Sequence, residues 1–480
     1  MFTKQQTKTL FLSSLLLSTT FFSQAHNVSE GYQKPTDRLV IQNLENWQDL
    51  KFGLFMHWGT YSQWGIVESW SLCPEDESWT QRKPEHGKSY NEYVKNYENL
   101  QTTFNPTQFN PQKWADATKK AGMKYVVFTT KHHDGFAMFD TQQSDYKITS
   151  SKTPFSKNPK ADVTKEIFNT FRKDGFKIGA YFSKPDWHSD DYWWSYFPPK
   201  DRNVNYDPKK YPEKWNSFKN FTFNQLNEIT SNYGKVDILW LDGGWVRPFH
   251  TIDQNVEWQR TIKVEQDIDM DKIGSMARKN QPGIIIVDRT VPGKWENYVT
   301  PEQAVPEHAL SIPWESCITM GDSFSYVPND NYKSSQKIIE TLVKIISRGG
   351  NYLMNIAPEP NGDYDPIVYK RLNEISTWMN DNQSAVFATR AVAPYHDGNF
   401  YYTQSKDGKT VNIFHLDEKE NYQSPSIVSF VLPENFKPKA LKVLGLKNKI
   451  QWKKTGNSIE INLPKERNQL KYSTVIQIIQ

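Results

Sequence analysis

The chain predicts an α/β fold, a parallel sheet or TIM-like (β/α) barrel followed by an antiparallel β-sandwich, and three observations predict it. Short apolar runs of strand length alternate with amphipathic helical stretches over the first three-quarters of the sequence. Nearly every such run stops at a side chain capable of chemistry. Beyond about Asn382 the texture changes to short alternating runs separated by turn residues. A chain of 480 residues exceeds one average domain, so one large and one smaller domain is the simplest division. We expect a leader over 1–25, a barrel domain over 26–382 and a sandwich over 383–480.

The elements follow in order. Lys4 and Lys8 precede an apolar run over 10–17, and Ser23-Gln24-Ala25 fits small-x-small cleavage before His26. This is the pattern of a secretory leader, so the mature protein is expected in the periplasm or outside the cell. No later apolar run approaches the roughly 20 residues of a membrane span. After a polar approach through Glu45 and Trp47, residues 52–56 read as the first strand, with His57 at its exit. The loop over 61–79 carries Glu68, Ser69, Trp70, Glu75, Asp76 and Glu77, and its length marks it as a wall of a site. A helix over 111–121 ends at Gly122, and the second strand, 125–130, runs into Lys131-His132-His133-Asp134-Gly135. A helix over 161–173 leads to the strand 177–182, which contains Tyr181. Next come a helix over 215–233, a strand over 236–241 that stops at Asp242, and a helix over 268–279. The strand 283–287 exits into Asp288-Arg289-Thr290.

The stretch 296–319 is broken by prolines, reads as irregular, and holds Glu302, Glu307 and Glu315. A helix over 334–347, a late strand over 352–356 and a helix over 366–380 complete the first part. Short strands are expected at 400–403, 411–415, 427–432, 441–444, 459–463 and 473–479.

Composition narrows the function. The formal net charge of +4 is small and interspersed with acids, and two of those charges, Lys4 and Lys8, lie in the leader. That gives no indication of nucleic-acid binding, and none is expected. Aromatics make up 14 % of the residues, with 17 Trp. Their broad apolar faces and polar tips suit the C–H faces and hydroxyls of sugars, although core packing accounts for many of them. Cys73 and Cys317 are the only cysteines, too few for a disulfide framework, although export permits one bridge.

The stretch 236–245, VDILWLDGGW, organises the rest. A strand's side chains alternate with period two, so Val236, Ile238, Trp240 and Asp242 share one face and Asp242 stands at the exit. In a β/α barrel that end is the open, functional face. Gly243 and Gly244 are expected to leave room for a ligand approaching the carboxylate. A helix-capping aspartate is the competing account. His57, His132, His133, Tyr181 and Arg289 occupy the corresponding places elsewhere. Capping acids and stray histidines would not favour one end of every strand. A metal hydrolase using His57, His132, His133 and Asp242 is disfavoured, because adjacent histidines on a strand point to opposite faces and the spacing matches no established zinc motif. No metal or cofactor is expected.

The segments FMHWG, TTKHHDGFAMFDT (129–141), ILWLDGGW, TPEQ (300–303), PWESC (313–317) and RGGNYLMNIAP (348–358) together resemble the α-L-fucosidases of glycoside hydrolase family 29, in order from about residue 40 to the C-terminus. The resemblance implies an irregular (β/α) catalytic barrel, a C-terminal β-sandwich, no cofactor, a fucosylated oligosaccharide or glycoconjugate as substrate, and hydrolysis with retention. On the matching positions it implies Asp242 as nucleophile. It likewise implies His57, His132, His133, Tyr181, Trp240 and Arg289 as the fucose pocket, with Phe324 near the sugar's methyl group. Trp70 with Glu68 matches the family's Glu-Trp element, although here Ser69 separates the two. Retention needs two carboxyl groups, one to attack the anomeric carbon and one to serve as acid and then base. For the second, TPEQ points to Glu302, with Glu315 as the alternative. A catalytically inactive glycan-binding relative is the competing reading.

Overall fold

The structure is a computed structural model that describes residues 31–74, 81–417, 419 and 421–480. The leader and its cleavage site lie outside the described residues, as do Glu75, Asp76 and Glu77. Among the described residues, seven parallel strands form one sheet: β1 (Phe52–Met56), β2 (Tyr125–Lys131), β3 (Lys177–Ser183), β4 (Ile238–Asp242), β5 (Ile285–Asp288), β6 (Glu315–Thr319) and β7 (Asn351–Asn355). Their order is β5-β4-β3-β2-β1-β7-β6, which leaves β5 and β6 as the two edges of a curled, barrel-like sheet. Both faces are covered, and nearly every strand residue is buried.

A single segment of chain spans the gap between those edges. The Asn297 amide donates to the Ile286 carbonyl (2.9 Å), and further along the same segment the Gln303 amide donates to the Cys317 carbonyl (2.9 Å). Isolated parallel bridges join Val299 to Trp314 and Glu302 to Cys317. A stretch too irregular to be a strand therefore occupies a strand's position, and it carries Glu302. The proline-broken region, expected to be less regular and assigned no strand, thus contains β6 as well as this bridging segment.

Eight helices among the described residues surround or cap the sheet: α1 (Arg38–Gln48), α2 (Tyr90–Glu98), α3 (Pro111–Lys120), α4 (Val163–Lys173), α5 (Pro212–Asn232), α6 (Met270–Asn280), α7 (Ser335–Ser347) and α8 (Pro366–Val386). Local signals set several starts: the side chains of Asn110, Asp162 and Ser334 each accept from a backbone amide three residues on, and Pro111 and Pro366 occupy first-turn positions. The expected polar approach is α1. Its Leu44 and Trp47 pack among the inward-facing strand residues, and Trp47 stacks on Tyr298 with ring centroids 4.1 Å apart. This helix plugs the end of the barrel opposite the strand exits.

After α8, eight antiparallel strands among the described residues make two sheets. The larger joins β8 (Thr389–Asp397), β9 (Phe400–Ser405), β10 (Thr410–His415), β12 (Ala440–Val443) and β15 (Thr474–Ile479). The smaller joins β11 (Ile427–Val431), β13 (Gln451–Thr455) and β14 (Ser458–Asn462). Ile413, Ile476, Phe430 and Ile461 meet in the core between the sheets. The other face of the larger sheet, with Tyr401, Phe414 and Val475, joins the main core of the barrel and its helices. No disulfide joins Cys73 and Cys317, and both are buried. No helix of the described residues is long and apolar enough to cross a membrane.

Candidate active site

Alternation along each strand decides which side chains reach the barrel interior. Phe55 faces inward on β1, and His57 follows it in the same parity. Trp240 and Asp242 share that face on β4, and Val287 precedes Arg289 on β5. These parities converge on a cavity of about 380 Å³ at the strand exits. Asp242, Trp240 and Tyr181 form its floor, with His57, His132 and Phe324 on one side. Glu68 and Trp70 reach it from the first loop, and Arg289 and Glu302 stand opposite. His133 lies behind this surface, its Nε2 3.8 Å from Asp242 Oδ2 and its ring edge-on to Trp70. The expected constellation is thus gathered in one place, with one exception.

That exception is Glu315. It is fully buried behind Trp240, whose indole N–H donates to its Oε1 (3.3 Å), while Tyr125 (2.5 Å) and Tyr298 (3.2 Å) donate their hydroxyls to it. Burial pushes its carboxyl up to about 7, against the opposing effect of those donors. The alternative acid is therefore not on the cavity wall, and it holds the Trp240 indole in place.

Asp242 is poised differently. Tyr181 donates to its Oδ2 (2.7 Å) and Arg289 Nη1 to its Oδ1 (3.0 Å). Burial would raise its carboxyl. The Arg289 charge first, then the Tyr181 hydroxyl, outweigh that and hold it well below the usual carboxylate range. His133 is itself kept neutral by burial, at about 3, so Arg289 is the cation that matters. The second nitrogen of the same guanidinium, Nη2, bonds Glu302 Oε2. The Glu302 side chain is 41 % exposed and that of Asp242 13 %, so one carboxylate sits at the mouth and the other at the floor.

Ser69, between Glu68 and Trp70, does not displace either from the cavity. The loop accommodates the extra residue with Glu68 at a φ of 28°, and the Glu68 Oε1 accepts from the Ser325 amide (2.7 Å). Burial raises the Glu68 carboxyl to about 8, so it enters the neutral pH range protonated. Burial likewise lowers His57 to about 4 and depresses His132 strongly.

One expectation needs correction. The histidine pair does not diverge: β2 ends at Lys131, and beyond the pleat the rings of His132 and His133 lie with centroids 4.2 Å apart. With Asp242 they bring three potential ligand atoms within 4.8 Å of one another. The Arg289 charge bonded to that carboxylate works against a cation there. Gly244 lines the cavity, and the glycines after Asp242 also serve a packing purpose. A Cβ on Gly243, whose φ is 83°, would lie 2.2 Å from Pro185 Cδ, and one on Gly244 would lie 2.2 Å from Thr290 Oγ1. They permit close packing of neighbouring strand exits. Arg202, Trp245 and Trp258 complete the wall and were not expected there from the sequence. Trp245 had a signal in the WLDGGW stretch, whereas Arg202 and Trp258 come from loops with no periodicity to place them.

The model of the α-L-fucosidase family matches residues 19–384, well over half of the chain. The chain belongs to the α-L-fucosidase family. It is accordingly a glycoside hydrolase. Similar members of the family include the tissue α-L-fucosidase of Homo sapiens, 26 % identical over 471 residues that cover 92 % of this chain and 90 % of that one. The Homo sapiens plasma α-L-fucosidase is 26 % identical over 407 residues, covering 81 % and 79 %. Among solved structures, α-L-fucosidase isoenzyme 1 from Paenibacillus thiaminolyticus superposes with a TM-score of 0.73 at 26 % identity, over 92 % of this chain and 99 % of that one.

Proposed function

We propose that this fucosidase-family enzyme removes terminal α-L-fucosyl groups from oligosaccharides or glycoconjugates with retention of configuration, through a transient ester on Asp242. The observation that carries this reading is one guanidinium, Arg289, bonded to two carboxyl groups at different depths of one cavity. The deep carboxylate is ionised and can attack. An Asp242 oxygen bonds the anomeric carbon as Glu302, at the mouth and protonated when substrate arrives, passes that proton to the departing glycosidic oxygen. Glu302 then takes a proton from water, whose oxygen attacks the same carbon and frees Asp242. Fucose offers three ring hydroxyls and a methyl group. The imidazoles and Glu68 supply hydrogen-bond partners, and Phe324 beside Phe55 supplies an apolar patch. The enzyme is also proposed to act after export, on the strength of the leader pattern and of plasma relatives.

The test uses an aryl α-L-fucoside with added azide. Asp242→Gly should lose at least about a thousand-fold in kcat, with azide restoring turnover to the inverted glycosyl azide, whereas Glu302→Ala should be rescued to the retained product. Azide rescue at Glu315 in place of Glu302 would overturn the acid/base assignment. A wild-type enzyme inert on such fucosides would favour the glycan-binding alternative.

A further inference from the structure

The three histidines at the site carry different hydrogen-bond polarity, and groups outside the cavity set it. Ser183 Oγ lies 2.7 Å from the Pro185 carbonyl and 2.6 Å from His133 Nδ1. A carbonyl only accepts, and serine has one proton to give, so Ser183 donates to Pro185 and accepts from His133. His133 therefore carries its proton on Nδ1 and shows a bare Nε2 to Asp242. That explains a separation of 3.8 Å between two electron-rich atoms instead of a hydrogen bond. The same accounting holds for His57. The Asn355 amide nitrogen donates to the Phe324 carbonyl (2.6 Å), which turns Oδ1 toward His57 Nδ1 (2.8 Å). His57 must donate there, and its Nε2 is also bare. His132 is the reverse case. Its Nδ1 meets Ser69 Oγ at 2.5 Å, and that fully buried hydroxyl has no other acceptor among the described residues. Ser69 donates, which leaves the proton of His132 on Nε2.

We infer that Ser183, Asn355 and Ser69 are positioning residues that fix the tautomers of these imidazoles, so that His57 and His133 turn bare acceptor nitrogens toward the site and His132 turns a donor. Resting on the fucosidase reading, a fucose hydroxyl that meets His57 must then donate, and one that meets His132 must accept. A proton moved to His133 Nε2 would bond Asp242 directly and occupy the attacking carboxylate. Tautomer choice by the partner of the distal nitrogen is a general property of imidazole.

The test is the ¹⁵N spectrum of the unliganded enzyme labelled at histidine, its ten histidines resolved by single substitutions. Bare and protonated ring nitrogens resonate far apart. Wild type should show Nδ1–H for His57 and His133 and Nε2–H for His132. The opposite state at any of the three overturns the assignment at that residue. Ser183→Ala should shift His133 toward Nε2–H and lower kcat about ten- to a hundred-fold with less change in KM. An unshifted His133 in that variant refutes the positioning role whatever the activity. Asn355→Asp, which keeps an acceptor, should preserve the His57 tautomer, and Asn355→Leu should not. The spectrum involves no substrate, so an enzyme with these tautomers that leaves fucosides intact would refute the proposed function and not this inference.

Discussion

At the scale of single residues, burial and hydrogen bonding give two acids on strands of one sheet opposite characters. Asp242 is ionised because Arg289 and Tyr181 are aimed at it. Glu315 is held by three neutral donors, and its carboxyl rises from an ordinary 4.5 to about 7. An acid whose folded value is raised binds its proton more tightly in the native state. Its stabilisation is therefore complete below about 4.5 and lost as pH rises toward 7. Glu315→Gln should remove that slope, leaving the variant about 3 kcal/mol less sensitive than wild type to a pH change from 4.5 to 8, from about 1.4 kcal/mol per unit. Urea midpoints measured across this range check it, and parallel slopes for the two proteins would refute it.

At the scale of elements, strand exits are positioned by close contacts that glycine makes possible. The β4 exit turns at Gly243 with a positive φ and lies against Pro185 at the β3 exit. Gly243→Ala meets both a backbone penalty and a steric one, together about 2–4 kcal/mol. Because Gly243 adjoins Asp242, thermal denaturation should show a lowered midpoint and kinetics a loss in kcat. Retention of both would show that the turn can relax freely. The element hardest to foresee was α1. Its one buried stripe is Val40, Leu44 and Trp47, spaced for a helix, yet Glu45 beside Trp47 made the segment read as solvent-facing. Its role as a plug depends on a barrel interior that no local pattern reveals.

At the scale of the whole molecule, the sandwich is part of the barrel's support. Trp378 on α8 donates to Ser473 Oγ (2.8 Å), Thr403 to the Ala385 carbonyl (3.2 Å), and Gln336 on α7 to the Asp417 carbonyl (2.9 Å). Tyr401, Phe414 and Val475 bury apolar surface in the same interface. A chain ending at Phe387 should expose that face and be recovered as aggregate, as judged by size-exclusion chromatography of the soluble fraction. A monodisperse, active truncated enzyme would contradict this.

By itself the sequence determined six of the seven parallel strands, β6 being missed, most of the helices between them, six of the eight antiparallel C-terminal strands, without β8 and β13, and the set of side chains at the exits. Each of these is written in local periodicity: Val236, Ile238, Trp240 and Asp242 share a face in any strand they form. The tertiary structure alone decided that Glu302 reaches the cavity while Glu315 lies behind Trp240, that His132 and His133 converge, and that α1 closes the far end of the barrel. Those outcomes depend on which distant segments meet, and a pattern that repeats every two or four residues carries no information about contacts between residues far apart in the chain.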